Sequence, residues 1–160
     1  KVNYVIHTLH ECFRSFIVGQ CVEAVILGSL CAIGMTILRL PYSGMTGALI
    51  GFTALIPIAG AYIGGGIGFL MIATVSPMKA IVFVIFLVIL QQLEGQFIYP
   101  RVVGASIGLP GIWVLAAVTI GGSVLGIGGM LLFVPLTATV YKLLRNDVKK
   151  RNAGKKGKGQ

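Results

Sequence analysis

Two acidic residues stand where acids are costly. Glu23 lies in the middle of an apolar run, Ser15–Leu38, and Glu94 lies near the end of another, Ala80–Ile98. Insertion scales put an Asp, Lys or Arg at the centre of a lipid-embedded helix at about 2.5–3.5 kcal/mol. Each acid must therefore face protein or water, or hold a proton. Each also has an amide one turn earlier on the same helix face: Gln20 before Glu23, and Gln91 before Glu94. Gln92 and Gln96 fall on a different face. Carboxyl and amide groups in apolar surroundings can exchange a proton or cation, or hold a polar solute. They can equally serve as buried polar anchors between helices. Both roles stay open at this point for Glu23, Gln20, Gln91 and Glu94.

Other chemistry is missing. No nucleophile–base pair stands out. Gly64-Gly65-Gly66 lacks the Gly-Lys-Ser/Thr that a phosphate loop needs. An enzyme is not expected, nor a cofactor. His7, His10 and Cys12 form an H-x-x-H-x-C cluster, but the spacing is no zinc signature and further ligands are missing. We read them as solvated interfacial side chains, with no metal. Cys21 and Cys31 sit inside an apolar run, where a thiol behaves as a small hydrophobe.

The elements that must position these groups are membrane helices. Of 160 residues 56% are hydrophobic and 11% charged, against about 25% charged in soluble domains. Four acidic residues cannot coat a water-soluble globule of this size. Spanning a bilayer core of ~30 Å takes ~20 helical residues. The apolar segments are 15–38, 43–75, 80–98 and 112–144. They are continuously apolar, not alternating, which argues against strands. The first and third each suit one span. The second and fourth are too long for one span and too short for two with a turn. Both are interrupted, the second by Pro57, Gly60 and Gly64–Gly66, the fourth by Gly121, Gly122, Gly126, Gly129 and Pro135. Non-helical backbone survives at membrane depth only where protein or water satisfies it. The expected fold class is all-α: a polytopic transmembrane helical bundle with broken or re-entrant Gly/Pro-rich helices. Paired interruptions of this kind point to a transporter binding site.

Charge sets the orientation. Residues 142–160 carry eight of the 13 Lys/Arg. We expect 145–160 to be a basic cytoplasmic tail by the positive-inside bias. No aromatic residue follows Tyr141 to stack on bases, so no nucleic-acid partner is expected. The chain opens on Lys1, not Met, and residues 1–14 read as the end of an upstream helical segment. An N-terminal part before them is expected.

The order of local motifs is itself informative. Gly19-Gln20 with Glu23, Leu40-Pro41-Tyr42, Ile56-Pro57-Ile58-Ala59-Gly60 and Gly64 come first. Gln91-Gln92-Leu93-Glu94, Tyr99-Pro100, Gly104 and Gly108-Leu109-Pro110 follow. Gly121-Gly122, Gly126, Gly129-Met130 and Val134-Pro135-Leu136 close the series. Together they resemble the autoinducer-2 exporter family of permeases. The resemblance implies a multi-pass protein of the bacterial cytoplasmic membrane, about twice this length, that forms homo-oligomers. It implies export of a small signal molecule in some members and sodium/proton exchange in others. Three functions follow as expectations: a secondary transporter or exporter of a small molecule, a cation/proton antiporter, or a non-transporting membrane scaffold. The expected partners are the lipid bilayer and a small-molecule or cation substrate.

Overall fold

The computed structural model describes residues 2–105 and 108–156. All of the regular structure among them is helical: α1 (Val2–Ile37), α2 (Ser43–Thr53), α3 (Ala59–Ala73), α4 (Pro77–Leu93), two π-helical turns (Glu94–Ile98 and Pro100–Gly104) and α5 (Gly111–Lys156). Three helical stretches among the described residues are long and apolar enough to cross a membrane: Val2–Ile37, Pro77–Gly104 and Gly111–Ala153. The all-helical membrane fold expected from the sequence is therefore the one observed. The chain divides into two compact units, Ile17–Ser106 and the flanking Lys1–Phe16 with Ile107–Gln160.

α1 runs without a break from Val2 to Ile37, its part up to Phe16 belonging to the flanking unit and the rest to Ile17–Ser106. No Gly or Pro interrupts the junction near Ser15. The helix closes through left-handed backbone at Arg39 (φ 53°). There Leu40 N–H donates to Met35 C=O at 2.9 Å and Arg39 N–H to Thr36 C=O at 3.1 Å. This double bond pattern satisfies carbonyls that a helix end leaves free, and Pro41 follows because it cannot continue the helix.

Segment 43–75 folds back on itself. At 11 and 15 residues, α2 and α3 are only about 16 and 22 Å long, short of the ~30 Å core. Their arms run antiparallel: Gly60 touches the Thr53 carbonyl, Gly64 lies against Ile50, and Gly68 against Thr46. α2 in turn packs on α1. A methyl at Gly28 would sit 2.9 Å from the Gly47 carbonyl oxygen, and one at Gly51 would sit 2.9 Å from that of Ala24. Small residues at such faces let backbones approach, which is how helices gain contact in lipid without a hydrophobic driving force. Beyond the hairpin, Ser76 is extended (φ −158°) and Pro77 opens α4, as its fixed φ and missing N–H allow at the first helical position. α3 packs on α4, with Gly65 against Leu87 and Gly68 against Phe83. Leu27, Met35, Ile50, Ile72, Phe83 and Leu90 form the shared core.

The third apolar segment does not stop at Ile98. It continues as π-helix to Gly104. Pro100 has no N–H, and in an α-helix its ring would strike the carbonyl four residues back. Widening the helix by one residue per turn relieves both problems, and Tyr99 N–H accordingly bonds Glu94 C=O, five residues back.

In the other unit, α5 is two helical arms joined at Gly126, whose φ of 63° and ψ of −141° are not helical. Only glycine tolerates such backbone cheaply. The arms lie against each other: Gly121 and Gly129 meet backbone to backbone, and the Trp113 and Tyr141 ring centroids are 6.2 Å apart. The second arm runs on to Lys156, so the described part of the basic end is helix and not an irregular tail. Lys and Arg are good helix formers and no Pro intervenes. Asn146 Nδ2 donates to Tyr4 Oη at 2.7 Å.

The backbone breaks are fewer than expected. The chain leaves helical geometry at 54–58, around Pro57, and at Gly126. Gly60, Gly64, Gly65 and Gly66 lie inside α3, while Gly121, Gly122, Gly129 and Pro135 lie inside the arms of α5. One turn suffices to reverse each hairpin. Most of the remaining glycines mark where the arms touch, and a proline within a membrane helix is tolerated because neighbouring groups re-satisfy the freed carbonyl.

Two outcomes follow. Gly60→Val drives a side chain into the Thr53 carbonyl and costs about 2–3 kcal/mol or the fold itself. Gly66→Ala meets nothing within 4 Å and is neutral or stabilising by up to ~1 kcal/mol. Thermal unfolding of the detergent-solubilised protein separates them, and equal losses would refute the hairpin packing. Gly126→Ala also meets open space, yet costs about 1–3 kcal/mol through backbone strain. An unchanged midpoint for that variant would refute the turn.

Candidate functional site

The site is built from α1, the end of α4 with its π-helical extension, and the tip of the α2–α3 hairpin. On α1, Gln20 and Glu23 project one turn apart into the interior. They are 3% and 2% exposed, close to complete burial for two polar side chains. On α4 and the first π turn, Gln91 and Glu94 are half-buried, whereas Gln92 and Gln96 are exposed and bonded to each other at 3.4 Å. The face assignment made from the helical period therefore holds in the structure.

The four expected residues do come together through their acids. The Glu23 and Glu94 carboxyl groups lie within interaction reach of each other. An ionised carboxylate only accepts, so a hydrogen bond between two carboxyl groups requires a proton on one of them. Among the described residues no basic side chain pairs with either acid; the one ion pair joins His7 and Glu11, at 3.6 Å on the exposed side of α1.

Around the pair lie polar atoms without partners. Gln20 Oε1, Glu23 Oε2, Gln91 Nε2 and Tyr99 Oη are buried and make no hydrogen bond. Burying such a group unpaired costs about 1–3 kcal/mol. Tyr99 lies within electrostatic reach of both acids. The structure turns the Tyr99 hydroxyl inward: the π turn brings Tyr99 N–H onto the Glu94 carbonyl, five residues back, where an α-helix would set the two about 140° apart around the axis. Arg101 lies over the Phe97 ring at 5.9 Å.

The hairpin tip enters through its main chain. α2 ends at Thr53, and Gln20 Nε2 donates to the Ala54 carbonyl at 2.9 Å. The carbonyl can only accept, so chemistry fixes which end of the amide faces it. No side-chain pattern could have named Ala54, since the group is backbone. The clue available was the break at Pro57, which must free carbonyls that a buried donor then satisfies. Tyr99 was findable only from the proline after it, through the helix widening that Pro100 imposes.

An open apolar groove of about 550 Å³ also runs along α1 and α2, past Cys21, Gly28, Gly47, Gly51 and Phe52. It brings no converging polar groups, and the carboxyl pair does not line it. Function is better sought where polar groups converge inside a membrane protein.

The comparisons with known proteins agree on the broad class. The chain is 34% identical over 136 residues to "Putative transport protein YrrI" of Bacillus subtilis (strain 168), covering 85% of this chain and 38% of that protein. It is 31% identical over 141 residues to "Putative transport protein YueF" of the same organism, covering 88% and 38%. A third relative, "Putative transport protein sll0060" of Synechocystis sp. (strain ATCC 27184 / PCC 6803 / Kazusa), is 27% identical over 145 residues, covering 88% and 40%. The chain thus spans about two fifths of the length of these relatives. No solved structure matches it. The AI-2E family transporter pattern matches residues 1–149, and the chain belongs to that family, a family of transporters and not of enzymes.

Proposed function

We propose that this chain is the part of a secondary transporter that couples export of a small polar molecule to a cation gradient, with the Glu23–Glu94 pair holding the coupling proton. The observation that carries the reading is the juxtaposition of two acidic side chains, one of them almost fully buried, in an apolar helical bundle, with no basic partner among the described residues. Such a pair must take up a proton or cation to become neutral and gives it up on reaching water, which is the cycle a coupled carrier needs. Gln20, Gln91 and Tyr99 contribute hydrogen-bonding capacity beside it. The hairpin α2–α3 supplies irregular backbone against a polar site, an arrangement that transporters use for their substrate and ion sites.

The protein works in the bacterial cytoplasmic membrane, with its basic end on the cytoplasmic side, and assembles as a homo-oligomer. An autoinducer-2-like signal is the kind of cargo that the family suggests. Cation/proton exchange without organic cargo uses the same pair and is the second reading, favoured by the absence, among the described residues, of a basic side chain paired with either acid. A scaffold without transport would have no use for an unneutralised pair of acids.

The test is reconstitution of the full-length protein in vesicles carrying an internal pH dye, with an imposed Na⁺ or pH gradient. Glu23→Gln and Glu94→Gln should each slow cation-driven proton movement at least tenfold (about 1.4 kcal/mol or more in the rate-limiting step), with both proteins still folded. Rates equal to wild type in both variants would contradict the coupling role. Accumulation of autoinducer in cells lacking the gene, reversed by the wild type, distinguishes export from simple exchange.

A further inference from the structure

The hairpin tip is strained, and a side chain from another helix holds it. Ala59 N–H donates to the Pro57 carbonyl at 2.7 Å around Ile58, whose φ is 64° and ψ −58°. This is the strained, rare form of the three-residue turn, here centred on a β-branched residue for which positive φ is least tolerated. Such backbone persists only where its surroundings enforce it. Four residues before Ile58, the Ala54 carbonyl receives the buried Gln20 amide across a sequence separation of 34 residues.

That amide has a second candidate acceptor. Gln20 Oε1 and Glu23 Oε2 are both buried acceptors without partners, one turn apart on the same face of α1. Neither oxygen has a donor. When Glu23 holds on Oε2 a proton or a cation beyond the proton it shares with Glu94, that species can engage Gln20 Oε1, which leaves Nε2 directed at Ala54 and polarises it to donate more strongly. When the pair is empty, the Glu23 carboxylate competes for Nε2. A hydrogen bond to a charged acceptor is about twice as strong as one to a neutral carbonyl.

We propose that Gln20 is the latch that ties hairpin closure to occupancy of the carboxyl pair. Loaded acids keep the amide on Ala54 and the strained tip shut. Emptied acids draw the amide away, and the turn at Ile58 relaxes. Gln20 is thus a positioning residue, and the proposal rests on the coupling role given to Glu23 and Glu94 above. The ionisable groups facing the amide are few. Glu94 and Tyr99 come from the helix packed against it. α2 carries none, and α3 carries only Tyr62, which is 78% exposed. On α1 itself the neighbouring Cys21 is exposed.

The test places a single cysteine at the half-buried Ile56 in full-length protein lacking Cys12, Cys21 and Cys31, reconstituted in liposomes. Its reaction with a water-soluble maleimide is divided by that of a cysteine at the exposed Val75, which cancels the pH dependence of the thiol itself. The ratio should rise at least fivefold between acid and alkaline pH. Gln20→Met should make it high at both, and Glu23→Gln, whose amide supplies the missing donor permanently, should make it low at both. A Gln20→Met protein that follows the wild-type pH profile would overturn the latch. Should that variant fail to fold, hydrogen exchange at residues 55–60 of the unmodified protein decides: protection, corrected for intrinsic exchange, must fall as pH rises, and pH-independent protection overturns the proposal. Loss of driven proton movement in Glu23→Gln with an unlatched but pH-sensitive tip in Gln20→Met leaves coupling standing and removes only the latch. Driven movement that survives Glu23→Gln removes the coupling reading itself.

Discussion

Lipid offers no hydrogen bonds, and every polar group that this chain carries into it must be answered from within the protein. That constraint explains most of what is seen. It makes the main chain helical almost throughout. Within the long apolar segments it limits the main departures to two hairpin turns and one widened helix. It also brings Gln20 of α1 onto the carbonyl of Ala54, where α2 has ended and no helical donor remains. The acids Glu23 and Glu94 lie within reach of each other, and no basic side chain among the described residues pairs with either.

Packing follows from a related fact. Between lipid and protein interior there is little gain in burying Leu or Ile, so association depends on how closely backbones approach. Gly28, Gly47 and Gly51 let α1 and α2 nearly touch, and Gly60, Gly64 and Gly68 do the same for α2 and α3. Those contacts set the hairpin against α1 at the height where Gln20 can reach Ala54. Glycine content that would weaken helices in water here fixes the geometry of the site.

Much of this was legible in the residues. Uncharged segments too long for one span and too short for two indicated hairpins, and the helical period sorted Gln91 and Glu94 from Gln92 and Gln96. What could not be read has physical causes. Composition shows that a segment is interrupted, but which glycine bends depends on where the two arms meet, so Gly126 could not be told from Gly121 or Gly129. The meeting of Glu23 with Glu94 spans 71 residues and is set by tertiary packing alone. The inward turn of Tyr99 depends on the widened helix before Pro100, whereas an α-helical reading ends the segment at Ile98. The Ala54 carbonyl is a backbone group and carries no residue signature.

The central claim is that two acids inside the membrane share one proton across a hydrogen bond. Infrared difference spectroscopy of the reconstituted full-length protein measures this directly through the carboxyl stretch of a protonated, hydrogen-bonded acid. The account predicts one such band in the resting protein, exchangeable with deuterium and abolished by removing either Glu23 or Glu94. A spectrum showing only ionised carboxylates, or a protonated band untouched by both substitutions, would contradict it.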